Sequence, residues 1–286
     1  MTTEMTIENI TPEWAENVLK NNVGNRKVRK TRVEQYARDM SSGSWALTGD
    51  AVRFNEAGDL VDGQHRLLAA IKAKASFKSV VITGVDDAAK MMIDSGAKRH
   101  FADVLHYHGY KDRNQLAASV KFCWEYENTQ FKSPSPPSYS ELLNWLQENQ
   151  GIVDACRQAN SVKVGYRQMS TVSAALLYYT GSSLPGEFEF FLKSIASGED
   201  LHKGMPLYAL RRHLDQSLRS VRKTPIRTMQ ALIIKAWNAH ISGDDMHVLR
   251  YVPTGDKAES FPIIVTTYPG VDVSEDSDDR VLVSNA

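Results

Sequence analysis

Cysteine is almost missing from this chain: Cys123 and Cys156 are the only two among 286 residues. They stand far apart and without metal-ligand spacing, which excludes a disulfide-dense scaffold and a thiolate zinc centre. Two buried thiols in a reducing compartment is the favoured state. Long apolar runs are missing as well. No stretch approaches the roughly 18 residues that cross a bilayer. The opening MTTEMTIENITPEW lacks the basic start and apolar stretch of a secretory signal. A cytoplasmic protein with no membrane partner is therefore expected. Net charge is absent too, because 34 Lys and Arg balance 34 Asp and Glu, so global charge selects no partner. Neither a Walker-type phosphate loop nor a Ser/His/Asp nucleophile elbow is present. His106 and His108 flank Tyr107 without further ligands nearby, so no metal site is expected.

What remains is an ordinary globular composition, 42% hydrophobic and 24% charged, in a chain long enough for one large or two modest domains. Residues 1–110 alternate strand and helix signals. MTIENI reads as a strand, and Thr11 can cap a helix with Pro12 in its first position. Thr31 can cap a second helix, whose face is Val33, Tyr36, Ala37 and Met40 and which ends near Gly43. Ala51–Phe54 and Leu60–Asp62 read as a hairpin, followed by a helix over about 64–74 and the strand SVVITG. Residues 111–270 are helical in texture. One interruption is KSPSPPSYS, read as a linker or extended surface loop, with Ser138 or Ser140 capping the helix ELLNWLQENQGIVDAC. Five acids between Asp272 and Asp279 mark residues 271–286 as an acidic, disordered tail. The fold class expected is α+β, a small mixed-sheet domain followed by a mostly helical one.

The chemistry concentrates at Asp59–Ala73, DLVDGQHRLLAAIKA. Gly63 ends an apolar strand and opens a helix, letting the backbone turn sharply and leaving room for a ligand beside the main chain. The N–H groups of Gln64, His65 and Arg66 would then be open donors of a helix N-terminus, an arrangement that attracts anions. Cationic Arg66 and titratable His65 oppose the helix dipole there, unless a negative group faces them. The alternative is plain pairing of Arg66 with Asp62 or Asp59. Asp62 could hold Mg2+ or accept a proton, or simply fix Arg66.

DGQHRLLAA resembles the signature of the ParB/sulfiredoxin superfamily, in its DGQHR-type branch. Gly63, Arg66 and Ala69 match the Gly-x-x-Arg-x-x-Ala of partition proteins, and Gly63, His65 and Arg66 match the Gly-Cys-His-Arg of sulfiredoxins. The resemblance spans roughly residues 5–105. It implies nucleotide-phosphate binding at this junction, CTP in partition proteins and ATP in sulfiredoxin, with Mg2+. It also implies a setting in the DNA metabolism of a bacterium or phage. The superfamily includes free-serine kinases and ParB-like nucleases, so hydrolysis, phosphotransfer and binding alone all stay open. Gln64 stands where sulfiredoxin has its cysteine, which excludes thiolate chemistry. On this reading Asp62, His65 and Arg66 are the candidate catalytic residues. Gly63, Gln64, His65 and Arg66, joined by Arg26 of the basic loop 26–32 and Arg99, are the candidate phosphate contacts. Asp94, Lys98 and Asp103 belong to the second segment that could close the pocket.

One further signal lies in the helical part. Residues 201–240 hold eight Lys and Arg against one acid, Asp215. In helical geometry Arg212, Arg219, Arg222 and Lys223 share a face suited to a nucleic-acid backbone such as that of DNA, with the choice between DNA and RNA left open. The rival reading is a solvated face balanced by the acidic tail.

Overall fold

The computed structural model describes residues 3–20, 22, 27–86, 100–161, 164–166 and 169–269. Arg26, Asp94, Lys98, Arg99 and the acidic tail lie outside these residues. The protein is α+β. A four-stranded mixed sheet is built near the N-terminus, and most of the chain after it is helical. Contacts divide the chain into two units, Met1–His100 with Lys132–Asn144, and Phe101–Phe131 with Trp145–Ala286.

In the first unit, β1 (Glu4–Ile10) leads into α1 (Pro12–Lys20), where the Thr11 hydroxyl accepts the Trp14 N–H at 3.2 Å. Helix α2 (Lys30–Ser41) buries Ala37 and Met40. It starts one residue before the expected cap: Arg29 precedes the helix with no side-chain cap bond, and Thr31 instead offers its carbonyl to Ser135. Strands β2 (Ala51–Asn55) and β3 (Leu60–Asp62) form the expected hairpin, closed by Asn55 and Asp59. Helix α3 (Gln64–Ala73) and strand β4 (Phe77–Val85) follow. The sheet order is β1-β4-β2-β3, with β4 antiparallel to β1 and parallel to β2. Val52, Leu60, Phe77 and Val81 meet Ala15, Ala37, Met40, Leu67 and Ala70 of the three helices in one core. The other face of β1 and β4 aligns Met5 with Ile82 and Ile7 with Val80, and Met5 and Ile7 are exposed.

KSPSPPSYS is an extended segment, as read, but it is anchored rather than a free linker. Ser135 donates to the Thr31 carbonyl at 2.9 Å, Gln35 to that of Pro137 at 3.0 Å, and Arg38 pairs with Glu141 at 2.7 Å. Ser138 and Glu141 form a capping box at the start of α6 (Tyr139–Glu148): each side chain accepts the other's backbone N–H. The Ser138 hydroxyl also donates to Asp39 at 2.5 Å. Burial raises the Asp39 pKa, a shift that the Ser138 hydroxyl opposes.

The second unit contains α4 (Phe101–Tyr107), α5 (Arg113–Thr129), α7 (Gly151–Ser161), α8 (Met169–Thr180), α9 (Pro185–Ser197), α10 (Pro206–Arg219) and α11 (Ile226–Ser242). The single helix expected over ELLNWLQENQGIVDAC is two, α6 and α7. Asn149 and Gln150 divide it by turning their amides onto the Trp145 and Leu146 carbonyls. Helices α8 and α11 are buried over most of their length, around Leu176, Phe191, Leu192, Ile233 and Trp237. Cys123 and Cys156 are free, buried thiols. Burial pushes Cys156 up to about 11 and Cys123 well above the usual thiol range, which keeps both protonated and unreactive. No described helix is long and apolar enough to cross a membrane.

Candidate functional site

The β3–Gly63–α3 junction takes its shape from one glycine. Gly63 has φ +113°, and a Cβ there would stand 3.1 Å from a Val52 methyl. On its Cβ side Gly63 therefore faces strand β2 rather than open space. Just before it, Asp62 accepts the Gly63 N–H on Oδ1 at 2.7 Å and the Arg53 guanidinium on Oδ2 at 2.7 Å. Arg66 reaches the same Oδ2 at 3.2 Å, while its other bonds run to the carbonyls of Asp50 (2.5 Å) and Ala51 (2.7 Å). Only 8% of Arg66 is exposed. Its guanidinium thus pins the first turn of α3 to the start of β2, and its charge is shared with Asp62. The pairing with Asp62, one of the two alternatives the sequence left open, is present.

Gln64 and His65 are buried as well. Gln64 accepts from the Asn22 amide at 2.7 Å, and His65 Nε2 accepts the backbone N–H of Arg29 at 3.0 Å. An accepting Nε2 places the ring proton on Nδ1. The Arg66 N–H, expected to be an open donor, is bonded to the Gly63 carbonyl at 2.9 Å.

The contact between His65 and Arg29 brings the basic segment against the junction. Lys27, Arg29, Lys30 and Arg32 are all exposed there. Arg32 lies 5.0 Å from the centre of the Tyr36 ring and donates to Gln35. Asp62, Gly63, Gln64, His65 and Arg66 are therefore together, with the cationic segment beside His65. Asp103 lies in the first turn of α4, in the other unit. Sequence reading missed Arg53, although the hairpin register that sets it opposite Asp62 was the available signal. Asp62 already holds two guanidiniums, those of Arg53 and Arg66. Among the described residues no group of three or more His, Cys, Asp or Glu could hold a metal ion.

The basic stretch of the second unit divides by role. Helix α10 ends at Arg219, so Arg222 and Lys223 lie beyond it and the four expected cations do not share one helix face. Lys223 caps α10 through the carbonyls of Ser217 and Leu218. Arg211 does the same for α9 through Ile195 and Ala196. Arg227 pairs with Glu125 and lies 3.4 Å from the centre of the Phe131 ring, and Lys235 pairs with Glu259. Arg212, Arg219 and Arg222 are exposed and make no ion pair among the described residues.

No protein-family model, curated protein or solved structure matches the chain.

Proposed function

We propose that the first unit is a nucleotide-phosphate-binding module of the ParB/sulfiredoxin-like type, holding ATP or CTP. The phosphates lie beside the amino-terminal turn of α3 and are contacted by the exposed cations of Lys27–Arg32. The bond from Arg29 N–H to His65 Nε2 carries this reading, because it sets a cationic segment against the positive end of a helix dipole. Arg66 acts as a positioning residue and leaves direct charge stabilisation to Lys27, Arg29 and Lys30. His65 likewise orients the segment through its Nε2. A role in the DNA metabolism of a bacterium or phage belongs to the same proposal and rests on the resemblance.

Calorimetry with ATP and CTP, with and without Mg2+, tests it. A charge-assisted hydrogen bond contributes about 1.5–3 kcal/mol, so Lys27→Ala and Lys30→Ala should each weaken binding roughly tenfold or more. Because both side chains are exposed, the unfolding midpoint of the free protein should stay where it is. His65→Ala should weaken binding by releasing the segment. Absence of binding for both nucleotides, or unchanged binding in the lysine variants, would overturn the proposal.

A further inference from the structure

A cleft in the second unit has the makings of a separate anion site. Its volume is about 450 Å3, within the range of small-ligand pockets. One wall is a face of α10, where Tyr208, Arg212 and Gln216 recur at helical spacing. The other wall is the segment Met246–Leu249, and Lys203 and Gly204 close one end. There the Met246 N–H donates to the Gly204 carbonyl at 2.6 Å, joining that end to the Met246–Leu249 wall. Gly204 holds φ +103°, a conformation that L side chains rarely adopt.

The lining is chemically one-sided. Arg212 and Lys203 bring basic side chains, His213 and His247 add two imidazoles, and no carboxylate is among the lining residues described. Asp245 stands close to Gly204 but does not line the cleft. Neither Arg212 nor Lys203 is in an ion pair among the described residues, unlike Arg227 and Lys235 of the same unit. Beside the cations, the Tyr208 ring, Met246 and Leu249 present apolar surface, and Gln216 presents an amide.

We propose that this cleft binds a small phosphate ester carrying a planar group. The phosphate would lie between Arg212 and Lys203, and the planar group against Tyr208 and Met246. A nucleoside monophosphate has both parts. A cleft tied shut at one end suits a ligand of that size rather than a polymer that must enter and leave. The site shares no residue with the β3–α3 junction, so the two proposals stand or fall separately.

The test is a titration of the full chain with AMP and, separately, inorganic phosphate. It follows by NMR the ring Cε1–H signals of His213 and His247 and the Met246 methyl. AMP should shift all three saturably, and phosphate alone should act more weakly. Arg212→Ala and Lys203→Ala should each weaken AMP binding about tenfold, the loss of one charge-assisted contact. The triple variant Lys27→Ala, Arg29→Ala, Lys30→Ala should leave these shifts intact, which separates this cleft from the first unit. Three results overturn the proposal. They are no shift up to roughly 10 mM AMP, a Kd that would mean negligible affinity; equal shifts in Arg212→Ala; or shifts produced by a DNA duplex but not by AMP.

Discussion

Gly63 is held by two constraints at once. Its φ of +113° disfavours any L side chain, and a Cβ would press to 3.1–3.3 Å against Val52, a fully buried residue of β2. Gly63→Ala should therefore cost about 2–4 kcal/mol, adding backbone strain to overpacking. Urea unfolding checks it, and a loss below about 0.5 kcal/mol, the range of a neutral surface change, would refute the packing argument. The glycine and the helix after it were legible in DGQHR, because strand-to-helix turns have a local signature. The job of Arg66 was not. It is settled by the carbonyls of Asp50 and Ala51, 16 and 15 residues earlier, and no side-chain pattern reports where a main-chain oxygen points. Nothing local announced that the Arg29 N–H meets His65 either, 36 positions away.

Among the helices, one partly buried polar tie is Glu127 on α5. It accepts from the Tyr179 hydroxyl of α8 at 2.6 Å and from the Trp145 indole of α6 at 2.5 Å. Burial nevertheless dominates and holds its pKa above the ordinary 4.5, while the two donors pull the other way. A carboxyl with a raised folded pKa binds its proton more tightly when folded. Its contribution is therefore most favourable below pH 4.5, declines as pH rises through the elevated folded value, and is level above it. Glu127→Gln cannot titrate, so the stability difference between parent and variant should change across that window and flatten beyond it. At neutral pH one donor loses its acceptor, which costs about 1–2 kcal/mol. Urea midpoints for both proteins from pH 4 to 8 measure this; a constant difference over the whole range would count against a raised Glu127. The break between α6 and α7 shows why element boundaries escaped the sequence. The apolar pattern runs on from Leu146 to Ile152, and only the folded-back amides of Asn149 and Gln150 end the first helix.

For the molecule as a whole, the change of texture near residue 112 is visible in the sequence, but the return of residues 132–144 to the first unit is not. Three prolines and four serines in nine residues read as a spacer. Their partners, Thr31, Gln35, Arg38 and Asp39, lie about a hundred positions away, as the 103 between Arg38 and Glu141 illustrates. This sets a consequence for cutting the chain. A fragment ending at residue 110, where composition invites the cut, keeps the sheet and its core but strips α2 of Ser135, Ser138 and Glu141. At about 1 kcal/mol per hydrogen bond, and somewhat more for the Arg38–Glu141 pair, the loss is roughly 4–6 kcal/mol. Small domains have about 5–15 kcal/mol in total, so such a fragment should be marginal at 25 °C. Adding a peptide of residues 132–148 in trans should raise its urea midpoint in proportion to the logarithm of peptide concentration, by mass action. The same peptide with Ser138→Ala and Glu141→Ala lacks both the capping box and the partner of Arg38, and should not. If the bare fragment unfolds at the same midpoint with and without the parent peptide, the segment is a passive spacer after all and the bonds it makes to α2 add nothing.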